Sequence, residues 1–150
     1  MRTILLSTLL ALCASNAVAA EVRCPASLTV QAQPEAPGGW SPYPAKDSHA
    51  FAGVSLVEGD RAKEMAAPAP APATQAPDRS LRRGRSETQQ WDFIGPRRDK
   101  VFLICRYTGT QATIALDLPR EVRRCQFTFE IDARGAMVDS PRSPPQFLCR

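Results

Sequence analysis

With 150 residues and 14 prolines, the chain has material for one modest folded unit and not for two. A formal net charge of +4 is a mild basic excess, too small by itself to mark a nucleic-acid binder. One histidine and five cysteines leave little from which to build a metal or acid/base centre.

The first twenty residues set the compartment. Met1–Arg2 form a short basic start, residues 4–18 are mainly apolar, and Ala17-Val18-Ala19-Ala20 offers small residues for cleavage after Ala19 or Ala20. Ser7, Thr8, Ser15 and Asn16 interrupt the apolar run, which falls short of the roughly 18 to 20 residues a membrane span needs. Leu12 is too large a predecessor for lipidation at Cys13. Residues 1–20 are therefore expected to be a signal peptide and 21–150 a single exported domain, periplasmic or secreted. Cys24, Cys105, Cys125 and Cys149 then read as a disulfide framework with three possible connectivities. There is no C-x-x-C pair, and His49 has no cysteine near it, so neither metal nor cofactor is expected.

In chain order, residues 26–33 read as a strand carrying Leu28 and Val30. Residues 34–44 form a loop broken by Pro34, Pro37, Pro42 and Pro44, with Trp40 and Tyr43 on it. These aromatics either cap the core or anchor a protein partner. A second strand is expected over 51–57, ended by Glu58-Gly59-Asp60, then a turn or two of helix over 60–67. Residues 66–90 read as a disordered Pro/Ala/Arg-rich insertion: a polyproline-like spacer to Pro77, then a polar run with Arg79, Arg82, Arg83 and Arg85.

Residues 101–107 are rich in β-formers, Thr108-Gly109-Thr110 supplies a turn, and Ile114, Leu116 and Leu118 alternate on one face up to Pro119. A third strand runs over 125–132, with Cys125, Phe127, Phe129 and Ile131 inward. Cys105 and Cys125 thus face the core from strands expected to be neighbours, which favours Cys105–Cys125 and leaves Cys24–Cys149 to join the ends. The fold class is mainly β: a small antiparallel sheet or sandwich stapled by two disulfides.

This layout resembles a family of small exported proteins of Gram-negative bacteria. The resemblance is carried by Cys24-Pro25, Gly39-Trp40, Gly53-Val54-Ser55 through Gly59, Lys63-Glu64-Met65-Ala66 and Trp91. In the second half it rests on Cys105-Arg106-Tyr107 with Thr108 and Thr110, Leu118-Pro119 with Val122 and Cys125, and the terminal Cys149. It implies export and disulfides but no activity; that some members lie near secretion-system genes points towards an effector partner.

The chemistry the residues offer is sparse. His49 sits in Asp47-Ser48-His49, where adjacency does not supply triad geometry. The carboxylate pairs Glu58/Asp60 and Glu130/Asp132 fall at a turn and on a solvent face. The arginine clusters 79–85, 97–100 and 120–124 suit acidic groups, though arginines in loops also serve simply to keep them soluble. They lack the aromatic interleaving of a nucleic-acid surface. The expectation is a non-catalytic binding protein, an inhibitor or immunity-like partner of a secreted effector. Trp40, Tyr43, Arg120, Arg123 and Arg124 would contact an envelope or secreted protein with an acidic surface, with weak anionic lipid or lipopolysaccharide contact secondary. Two other readings stand beside it: an envelope structural protein tethered through 66–90, and a hydrolase dependent on His49.

Overall fold

The structure, a computed structural model, describes residues 21–66, 73–95 and 99–150. The expected signal peptide, residues 1–20, lies outside the described residues, as does the part of the insertion at 67–72.

The described residues form eight strands: β1 Ser27–Ala32, β2 Ala45–Glu58, β3 Arg79–Arg83, β4 Ser86–Asp92, β5 Val101–Tyr107, β6 Thr113–Asp117, β7 Arg124–Glu130 and β8 Gln146–Cys149. A short helix, α1 Arg61–Ala66, follows β2. Asp60 caps it: its carboxylate accepts the Lys63 N–H at 3.2 Å and its carbonyl the Glu64 N–H at 2.9 Å. The strands make two four-stranded antiparallel sheets, ordered β1-β2-β5-β6 and β3-β4-β7-β8.

A period of two sets the face that lines the shared core, although Phe102 and Val57, out of that phase, are also buried. In β5, Val101, Leu103, Cys105 and Tyr107 point into the core and Arg106 points out. In β7, Cys125, Phe127 and Phe129 do the same, and Ile131 continues the face. Phe51 of the first sheet meets Phe127 of the second edge-on, with ring centroids 6.0 Å apart, so the inner faces share one core. The expected β sandwich is the fold observed.

The disulfide pairing differs from expectation. The bridges are Cys24–Cys105 and Cys125–Cys149, not Cys105–Cys125 and Cys24–Cys149. Cys105 and Cys125 both face inward, as expected, but β5 and β7 belong to different sheets and are not neighbours. Cys125 instead finds its cross-strand partner on β8, in register at Cα–Cα 4.0 Å. Cys24, just before β1, ties that segment to the inner face of β5.

The 66–90 segment is also not a disordered insertion along its described length. Residues 79–92 form the β3–β4 hairpin, turning at Gly84 with φ 59°. β3 is exposed on both faces, so it lacks the buried alternation that marks a strand. Cross-strand polar pairs hold it instead: Glu87, 7% exposed, accepts hydrogen bonds from Ser80 at 2.6 Å and Arg82 at 2.8 Å. β2 runs longer than the expected 51–57, beginning at Ala45, and β8 is a strand beyond those expected.

Candidate partner-binding site

The first half of β2 pairs only with β1, in register from Ser27↔Ala50 to Ala32↔Ala45. The second half pairs with β5 from Phe51↔Tyr107 to Glu58↔Val101, with a bulge at Ala52 between Phe51 and Gly53. A bulge bends the strand that carries it. The bend coincides with the point where β2 leaves the cover of β5. Beyond it, β1 and residues 45–50 form a two-stranded arm on which no residue is buried. The loop at its tip is held by a turn in which the Trp40 N–H donates to the Pro37 carbonyl at 3.0 Å and Gly39 takes φ 86°, the type II pattern that requires glycine.

Trp40 is 77% exposed and Tyr43 87% exposed on this loop. Neither caps the core. At the base of the arm lies an open groove of about 630 Å³, walled by Ala50, Phe51, Met137, Val138, Pro141 and Pro144. Sequence reasoning missed this groove, because its walls come from β2 and from a loop some ninety residues later. The one signal available was Met137 and three prolines close together before Cys149.

The arginines lie elsewhere. The Leu118 N–H bonds the Val101 carbonyl at 2.9 Å, placing the 118–124 turn at the end of the first sheet opposite the arm. At about 3.3 Å per residue, the 14-residue β2 separates the tip from that turn by on the order of 40 Å. The expected site residues therefore do not form one patch. Arg124 is engaged within the chain, donating to Asp92 at 2.7 Å. Gln90 first and then Arg124 hold the Asp92 carboxyl below its ordinary pKa. Arg79, Arg82 and Arg85 likewise pair with Asp92, Glu87 and Glu130. Arg120 and Arg123 are exposed, and Arg120 lines a shallow pocket of about 300 Å³ where Arg61–Asp117 and Lys100–Asp60 already form ion pairs.

No catalytic arrangement emerges among the described residues. His49 lies within β2 with Nδ1 2.9 Å from the Thr108 carbonyl oxygen, a structural contact at the root of the arm. No group of three metal-ligating side chains is found among the described residues.

An arm with exposed aromatics, set on a disulfide-stapled sandwich, has the form of a binding protein, and the comparisons with known proteins agree. Residues 45–150 match the type VI secretion system Tli immunity protein family. The chain belongs to this family. It is accordingly a non-catalytic, immunity-like partner of a secreted effector and not an enzyme. It is 73% identical over 151 residues to an "Uncharacterized 16.3 kDa protein in trpG 5'region" of Azospirillum brasilense, with 100% of this chain and 99% of that protein covered. No solved structure matches the chain. The family match begins at Ala45, the first residue of β2, so β1 and the tip loop precede it.

Proposed function

We propose that the chain is exported to the periplasm with loss of residues 1–20 and there neutralises a type VI effector by seating the β1–β2 arm on it. The observation that carries this is the exposure of Trp40 and Tyr43 at the tip of an arm whose shape is fixed by its own ladder and prolines. Large aromatics presented rigidly lose little conformational freedom on binding and are the residue types that dominate interface energetics. Arg120 and Arg123, at the far end of the sheet, form a second and weaker contact for acidic groups of the partner or for anionic lipid headgroups. Arg124, bonded to Asp92, contributes least to it.

The test is protection. A susceptible strain receives a type VI effector in its periplasm and expresses either the full chain or a Trp40→Ala/Tyr43→Ala variant. Survival with the wild type and killing with the variant, at equal periplasmic levels, is the expected result. Equal protection by the variant would remove the arm from the site.

A further inference from the structure

A β-sandwich exposes the backbone of its edge strands, and natural proteins guard such edges with charge, proline, short length or a covering element. Among the described residues, three of the four edges here are guarded. β3 carries Arg79, Arg82 and Arg83. β8 has only four residues, and Val22 bridges Cys149 on it. β6 packs against α1 and ends on Asp117, which is bonded to Arg61 at 3.1 Å. β1, Ser-Leu-Thr-Val-Gln-Ala, has no charge, no proline and no cover over six residues.

Register identifies which backbone groups lie bare. The Phe51 N–H donates to the Ala26 carbonyl at 2.9 Å, and bonded pairs alternate along an antiparallel ladder. Leu28, Val30 and Ala32 therefore face β2 with their backbone groups, opposite His49, Asp47 and Ala45. Ser27, Thr29 and Gln31 direct theirs outward. Side chains divide the same way across the faces: Leu28 and Val30 are half-buried, and Ser27, Thr29 and Gln31 are exposed.

From this we infer that β1 is a docking edge on which an extended segment of the effector adds as a fifth strand of the first sheet. The inference rests on the immunity reading above and specifies its partner chemistry. The added segment pairs its backbone with Ser27, Thr29 and Gln31, carries apolar side chains at alternate positions beside Leu28 and Val30, and has no proline where it must donate. Main-chain bonds supply affinity in this mode, and flanking side chains supply selectivity. Trp40 and Tyr43 at one end of the strand and the apolar groove at the other supply the flanks. The effector is favoured over a second copy of this chain because the family assigns the chain a secreted effector as its partner.

The test uses the outward N–H of Thr29. Thr29→Pro removes that donor without touching the β1–β2 ladder, and the extended backbone it imposes on Leu28 is the one Leu28 already has. Thr29→Lys keeps the N–H and places a guarding charge on the edge. Both are titrated, beside the wild type, against the purified effector from which the wild type protects. Residue-resolved amide exchange is recorded for the wild type free and bound. At least a tenfold loss of affinity for Thr29→Pro at an unchanged unfolding midpoint, with slowed exchange at Ser27, Thr29 and Gln31 in the complex, is expected. Binding of Thr29→Pro within twofold of wild type overturns the added strand and leaves the immunity reading standing. A wild-type dimer in light scattering that Thr29→Pro dissociates assigns the edge to a second copy and also overturns it. If the wild type protects against no type VI effector, there is no such effector to titrate; the immunity reading is removed, and this inference with it.

Discussion

Removing the Cys24–Cys105 bridge tests how the segment before β1 is held to β5. The bridge closes a loop across a sequence separation of 81, against 24 for Cys125–Cys149. In the chain-entropy treatment these correspond to roughly 4.5 and 3.5 kcal/mol. Cys24→Ala/Cys105→Ala also deletes the Cys105 sulfur, which is 2% exposed, adding about 1 kcal/mol for one lost methyl-sized group. The sum is comparable with the whole stability of an ordinary domain, about 5–15 kcal/mol. The double variant is therefore expected to unfold at a much lower urea midpoint or to populate the unfolded state before urea is added. Trypsin mapping without reduction gives the companion result. Fragment 24–46 should be joined to 101–106, and fragment 125–134 to 143–150. A variant with a wild-type midpoint, or a fragment joining Cys105 to Cys125, would refute the topology argument.

Four further outcomes follow from the same geometry. Glu87→Gln should destabilise by about 1–2 kcal/mol near neutral pH, because a nearly buried carboxylate loses charge-assisted bonds. The bond from Ser80 first, and then that from Arg82, lowers the Glu87 pKa, so this stability is present above about 4.5 and is lost as pH falls through the folded value. Urea midpoints of wild type and variant should therefore converge on acidification. Leu56→Ala, at a side chain with 0% exposure, should lower stability by about 2–5 kcal/mol. Ile94→Ala, at 99% exposure, should stay within about 0.5 kcal/mol by the same denaturation assay. Trp40→Ala should leave the unfolding midpoint unchanged within a similar margin while abolishing protection, since the side chain contacts no core residue.

What was legible in the sequence was the part governed by burial on one face. Val101–Tyr107 and Cys125–Ile131 announce themselves because each second residue must be apolar to line the shared core. The same logic gave the inward direction of Cys105 and Cys125. It did not give their partners, because periodicity says which way a strand faces and nothing about which strand lies beside it. β3 escaped notice for the opposite reason: Ser80, Arg82 and Glu87 hold it through polar side chains, so no apolar period exists to find. The sequence leaves Trp40 and Tyr43 as either core caps or anchors, and their exposure decides against the cap. The groove beneath the arm was illegible because residues 50–52 and 137–145 meet only after the sheets pack.

The bulge at Ala52 divides one strand between two trades. Residues on the core side of it answer to packing, where a single methylene matters. Residues on the arm side, the contact of Leu28 with the core apart, answer to pairing parity. Adding one residue to each arm strand would turn Leu28 and Val30 to the wrong face, whereas adding two would lengthen the arm and preserve every facing. A lineage can therefore extend, shorten or re-tip this arm in even steps while the sandwich that holds it stays as it is. Divergence in what the protein recognises need not disturb how it folds.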